Sequence, residues 1–198
     1  MAPILREGEL VANVDNDSTA GATERAACAT APEPGEYSPF FAAYVARAQA
    51  FGDPVARLGD QWGEVHSLLA PLPEAVQLHR YAPGKWSVKE VLGHLIDAER
   101  IFAYRALRIA RADATPLAAF EENGYVAAAE IERCPWPELL EEFEHVRQAG
   151  ILMLRHLPPA AWLRIGTSSG APLSVRAVAY VMVGHVEHHL EILRQRYL

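Results

Sequence analysis

The sequence predicts an all-α protein built as a four-helix bundle. Three observations carry that expectation. Hydrophobic residues make up 51% of the chain and alanine is plentiful. Four stretches repeat apolar residues at spacings of three and four, the period of a helix buried along one face. Runs of β-branched residues bounded by turns, which would mark strands, are few. A chain of 198 residues is long enough for one domain with a substantial core. Residues 36–198 are read as that domain. Residues 1–35, polar and aperiodic and ending in "TAPEPGE", are read as a weakly structured N-terminal extension.

The elements follow in order. "SPFFAAYVARAQA" is a short apolar helix or hooked segment. In "GDPVARLGDQWGEVHSLLAPL", Asp53 before Pro54 supplies an N-cap and a proline in the first turn. Val55, Leu58, Trp62, Val65 and Leu69 then form an amphipathic stripe. "GKWSVKEVLGHLIDAERIFAYRALRIARAD" begins with a capping box between Ser87 and Glu90. No proline interrupts its stripe before Pro116, so it predicts a helix of about six turns. Residues 113–135 are mixed, with room for a short helix near 125–131. "PWPELLEEFEHVRQAGILMLRHLPP" is a long helix stopped by Pro158-Pro159. "GTSSGAPLS" reads as a connecting loop, and Ser174 caps a last helix running almost to Leu198. No internal repeat is present.

Charge and composition exclude several classes of function. The net charge is −7, from 18 basic and 25 acidic side chains, the wrong sign for a general nucleic-acid binder. No stretch of about 18 uncharged apolar residues exists to span a membrane. The first 30 residues lack the basic start and apolar core of a signal peptide. Cys28 and Cys134 make neither a disulfide scaffold nor a C-x-x-C pair. A cytoplasmic protein is expected.

The chemistry is concentrated in "VMVGHVEHHLEILRQRYL", which holds three of the eight histidines. At about 100° per residue, His185 and His189 lie about 40° apart, inside the stripe carried by Val178, Met182 and Ile192. His188 falls about 100° from His189, at the edge of the stripe. Two imidazoles one turn apart can share an ion, and burying them costs free energy unless they are bonded or coordinated. An H-x-x-x-H pair alone also suits an ordinary core. A third ligand from another helix would decide it. His94, at the border between an apolar stripe and the polar strip of Glu90, Asp97 and Arg105, is the best candidate, with His66 as the alternative. His79, His145 and His156 are read as solvated. The zinc-peptidase motif fails because Val186 stands where H-E-x-x-H requires glutamate. No phosphate loop, serine elbow or paired nucleophile appears, and Cys134 is read as a packed turn thiol.

Three segments carry a family resemblance: "YAPGKWSVKEVLGHLIDAERIFAYRALRIAR", "FEENGYV" and "GHVEHHLEILRQRYL". Over about residues 36–198 they resemble the DinB-like (DinB/YfiT) superfamily of metal-binding four-helix proteins. The combination of K-W-S, G-H-x-x-D-x-E-R and G-H-x-x-H-H is specific to it. The resemblance implies an up-down bundle with a longer crossover connection. It also implies one divalent metal held by His94, His185 and His189. Family members often carry glutamate where this chain has Val186, a departure that touches no ligand. The implied activities are transfer or isomerisation with a low-molecular-weight thiol cosubstrate, or hydrolysis.

These activities share one design, in which three neutral imidazoles leave an ion with open positions. Zinc and nickel both accept such ligands. An ion so held lowers the pKa of a bound water or thiol, and its uncompensated charge favours an anion. Arg105 would orient an anionic substrate. Arg100 is more simply a solvated charge. Asp97 reads equally as a base near the metal or as a surface charge. A noncatalytic bundle acting through ligand binding or dimerisation stays open beside the enzyme. A homodimer is expected, with Phe40, Phe41 and Tyr44 as apolar contact candidates.

Overall fold

A computed structural model describes residues 30–198. Most of the expected extension, residues 1–29 with Cys28, lies outside the described residues. Eight α-helices follow: α1 (Ala42–Gln49), α2 (Pro54–Leu69), α3 (Glu74–Gln77), α4 (Val88–Ala110), α5 (Glu122–Ala129), α6 (Trp136–Arg155), α7 (Pro159–Trp162) and α8 (Val175–Ile192), the last running into a π-helical turn at Leu193–Tyr197. The long helices α2, α4, α6 and α8 are the expected bundle. Three of them start at side-chain caps. Asp53 accepts from the Val55 amide at 2.8 Å. Ser87 accepts from the Glu90 amide at 3.1 Å while Glu90 accepts from the Ser87 amide at 2.6 Å. Ser174 accepts from the Ala177 amide at 3.0 Å. Each cap satisfies amides that the first turn leaves orphaned.

Two core clusters define how the helices run. One gathers Val55 and Leu58 of α2, Phe102 to Ala110 of α4, Ile151 and Leu154 of α6, and Val175 to Val183 of α8. The other gathers Val65 and Leu69, Val88 to Ile96, Trp136 to Phe143, and Val186 to Leu190. So α2 and α8 run from the first cluster to the second, and α4 and α6 run the opposite way. Helix α4 packs between α6 and α8, as does α2 on the other side. Because α4 and α6 are parallel, the chain must cross the length of the bundle between them. Residues 111–135 are that crossover, and α5 is its ordered part.

The crossover also meets an element that the sequence pattern conceals. "GTSSGAPLS" is a β-hairpin, not a plain loop. β1 (Ile165–Ser168) pairs antiparallel with β2 (Ala171–Ser174) in the register Ile165↔Ser174. Ser169 and Gly170 turn it with φ of 53° and 77°, the left-handed pair that tight hairpins require. The strands are only four residues long, IGTS and APLS, and carry no sustained hydrophobic alternation to announce them. Leu117 of the crossover donates to Thr167 and accepts from the Ser169 amide, both at 2.9 Å. The short helix expected near 125–131 starts earlier, at Glu122, because Glu121 accepts from the Asn123 and Gly124 amides.

The chain before α2 folds onto the bundle. Glu36 is buried and accepts from the Ser174 hydroxyl at 2.6 Å and from Arg176 Nε at 2.8 Å. Helix α1 lies along α8, and Gly184 permits the approach. A Cβ there would fall 1.9 Å from the Tyr44 carbonyl oxygen. Phe41 and Tyr44, expected at a dimer contact, are consequently half-buried against Phe102 and His185. Of the three candidates only Phe40 is largely exposed.

A buried polar network crosses the centre. Arg147 of α6 donates to Glu99 of α4 at 2.8 Å and to Gln61 of α2 at 3.0 Å. Gln61 in turn donates to the Val183 carbonyl of α8 at 2.9 Å and to Glu187 at 2.8 Å. Arg147 and Glu99 are both fully enclosed. Removing one member leaves the other charge uncompensated, so Arg147→Met should cost about 3–5 kcal/mol. Denaturant unfolding checks this, and Glu99→Gln combined with Arg147→Met should recover part of the loss. A single variant as stable as the wild type would contradict the assignment.

Candidate metal site

The antiparallel packing of α4 on α8 brings His94 opposite His185 and His189. All three are buried, at 6%, 6% and 8% exposure. The Nε2 atoms of His94 and His185 lie 2.9 Å apart, and one nitrogen from each ring falls within 4.8 Å of the others. Tetrahedral zinc–imidazole bonds of about 2.0–2.1 Å would set such nitrogens about 3.3 Å apart, inside that spread. Burial holds the His94 imidazole down at about 4. His185 and His189 are pulled well below the ordinary range, first by burial and then by the neighbouring imidazoles. The rings are therefore neutral at pH 7, the form that donates a lone pair to a metal. The residues present fit one divalent ion.

Aromatic rings keep water from this cluster. Trp86, from the K-W-S segment, packs at a tilt of 42° on His94 with 4.8 Å between centroids, and Tyr44 and Phe102 meet His185 edge-on at 5.5 and 5.8 Å. One side stays open to a cavity of about 490 Å³. The histidines line it together with Arg105, Phe120, Glu122, Ser168 and Ser169. Arg105 is 3% exposed and has no carboxylate partner among the described residues. It donates to the Ala118 carbonyl at 2.9 Å and to the Ser169 hydroxyl at 3.3 Å, with its guanidinium over Phe102 and Phe120. Burial lowers its pKa from the usual arginine value.

The structure thus gathers His94, His185, His189 and Arg105 around one space and leaves Asp97 out. Arg105 lies 11 residues after His94, about 20° round the helix, whereas Asp97 is turned about 60° the other way. Asp97 lines a separate depression with Glu121 and Tyr125 under α5. Burial raises its pKa, and Arg100 is 4.0 Å away. Arg100 itself pairs with Glu142 at 2.6 Å on the outer face. His188 lines the cavity against Tyr44 but is not part of the three-nitrogen cluster. His66, His79, His145 and His156 are exposed. Val186 is in the core, and Glu187 turns to Arg57 and Gln61. Tyr44, Phe120, Glu122 and the two hairpin serines had no signal of their own in the sequence. Phe120 and Glu122 stand in a segment, "FEENGYV", that carried the family resemblance.

Three buried imidazoles converging at the end of a cavity define the class: a helical bundle with a candidate metal site. The chain belongs to the DinB superfamily, whose family model matches residues 57–193. No curated protein matches it in sequence. Its fold is similar to that of YfiT from Bacillus subtilis, described as a probable metal-dependent hydrolase with an unusual four-helix bundle topology. That likeness has a TM-score of 0.66 at 15% identity and covers 82% of this chain and 94% of YfiT.

The lowered imidazole pKa values give the metal-free protein a pH dependence of known sign. His94 falls from 6.5 to about 4 on folding, so as pH drops the unfolded chain takes up the proton first. The His94 contribution to stability is complete above about 6.5 and is lost as pH falls towards 4, at about 1.4 kcal/mol per pKa unit. The Tm of chelator-treated protein should drop between pH 7.5 and pH 5, and drop less in His94→Leu. Equal drops in both proteins would contradict this account of His94.

Proposed function

We propose that the chain is a metal-dependent enzyme, a hydrolase or thiol-dependent transferase, acting on a small molecule held in the cavity. His94, His185 and His189 would hold one divalent ion, zinc or nickel. When bound, such an ion acts as a Lewis acid that lowers the pKa of a water or a low-molecular-weight thiol. The protein's own residues supply the rest. Three uncharged ligands leave the ion's charge uncompensated, which favours an anionic partner. Trp86, Tyr44 and Phe102 exclude bulk water and so strengthen electrostatic interactions within the site. Arg105 orients the substrate from the other end of the cavity. Asp97 faces another depression, away from the three imidazoles.

The observation that carries this reading is the convergence of three buried, neutral imidazoles on an open cavity. A noncatalytic structural site would be closed by a fourth protein ligand. Among the described residues the cluster contains the three histidines alone.

Elemental analysis of untagged protein, combined with ester-hydrolysis and thiol-transfer assays with and without chelator, tests the reading. His185→Ala and His189→Ala should abolish stoichiometric metal and chelator-sensitive turnover, and His94→Ala should do nearly as much. His188→Ala should leave metal occupancy largely intact. Metal lost in His188→Ala but kept in His189→Ala, or turnover indifferent to chelator, would overturn it.

A further inference from the structure

The end of the cavity away from the histidines is built for an oxyanion. Arg105 carries five N–H donors in a planar fork. Its Nη2 is used by the Ala118 carbonyl and the Ser169 hydroxyl, while Nε and Nη1 make no hydrogen bond among the described residues. The hairpin supplies hydroxyls beside it. Gly166 and Ser168 share one face of β1, since side chains alternate along a strand. A Cβ on Gly166 would fall 2.8 Å from Ile109 of α4, so that face is turned to α4, where Arg105 lies one turn before Ile109. Ser168 is 5% exposed, lines the cavity, and its buried Oγ has no hydrogen-bond partner. The Ser169 hydroxyl accepts from Arg105 and keeps its own proton to donate.

A buried cation without a carboxylate and a buried hydroxyl without a partner are both costly unless something completes them. We propose that Arg105, Ser168 and Ser169 form a subsite for the carboxylate or phosphate of a small organic acid. The rest of that acid would extend along Phe102 and Phe120 towards the histidines. The guanidinium carbon is 5.9 Å from the centre of the Phe102 ring, which is 5.8 Å from that of His185. One aromatic ring therefore separates the anion's seat from the metal ligands. The substrate class is a short acid with an apolar or aromatic body. This deepens the reading of the cavity as an active site and rests on it for the word substrate. The acidic side chain lining the cavity, Glu122, also borders a second depression with Trp86 and His189, which places it at the histidine end.

Calorimetric titration of the full chain with phenylacetate, phenyl phosphate and the neutral 2-phenylethanol tests the subsite, with and without chelator. At least one anion should bind more tightly than the alcohol and keep its affinity after chelation. Which anion binds better distinguishes a carboxylate from a phosphate ligand. Arg105→Met should weaken binding at least about tenfold and Ser168→Ala about threefold, the loss of one charged and one neutral hydrogen-bonding group. Should Arg105→Met fail to fold, Arg105→Lys keeps the charge but not the fork, and should weaken binding by less. Equal binding of acid and alcohol would overturn the subsite. So would anion binding that chelator abolishes, or unchanged affinity in both Ser168→Ala and the folded Arg105 variant. Persistence of anion binding in protein that holds no metal would instead separate this subsite from the metal-dependent reading.

Discussion

At the centre of the bundle an enclosed arginine reaches three other helices, two of them through one glutamine. Arg147 meets Glu99 on α4, and Gln61 carries the contact on to the Val183 carbonyl on α8. Taking two charges out of water is expensive, and apolar residues of similar volume often stabilise as well. What the network adds is register. Glu99 lies five residues after His94, and Val183 lies two before His185. Fixing the heights of α4 and α8 at those points fixes where the imidazoles meet. Apolar side chains tolerate sliding; a guanidinium whose two terminal nitrogens each have named acceptors does not.

The site lives on the boundary between two packing clusters. Ala98 and Phe102 belong to one and Leu95 and Ile96 to the other, with His94 beside the second. Aromatic rings from α1 and the segment before α4 close over the histidines, so burial both neutralises the imidazoles and leaves them short of partners. A divalent ion satisfies both conditions at once. The close approach that brings Tyr44 there depends on a residue without a side chain, Gly184. The hairpin and the crossover complete the far wall. Elements that look like connections between helices therefore supply one wall of the cavity.

The sequence made legible what is encoded locally. Caps at Asp53, Ser87 and Ser174 announced three helix starts, and helical phase alone put His185 and His189 on one inward face. His94 could be ranked first because its border position is a property of its own helix. Other features depend on contacts across the chain. The short strands of the hairpin exist through their pairing and through Leu117, fifty residues earlier in the chain. Asp97 and Arg105 share one polar strip on paper; which of them meets the cavity depends on α5 covering one side of α4 and the hairpin the other. Phe41 and Tyr44 read as exposed apolar residues because nothing near them in sequence predicts that α1 lies along α8.

The central claim is that three imidazoles and no other protein group hold one divalent ion. X-ray absorption spectroscopy of the metal-loaded protein tests it most directly, because imidazole rings give a distinctive multiple-scattering pattern whose strength counts them. The account predicts three imidazoles and no sulfur or carboxylate from the protein, with that count falling in His94→Ala. A spectrum of thiol-free protein showing a sulfur ligand, a protein carboxylate or a fourth imidazole would contradict it.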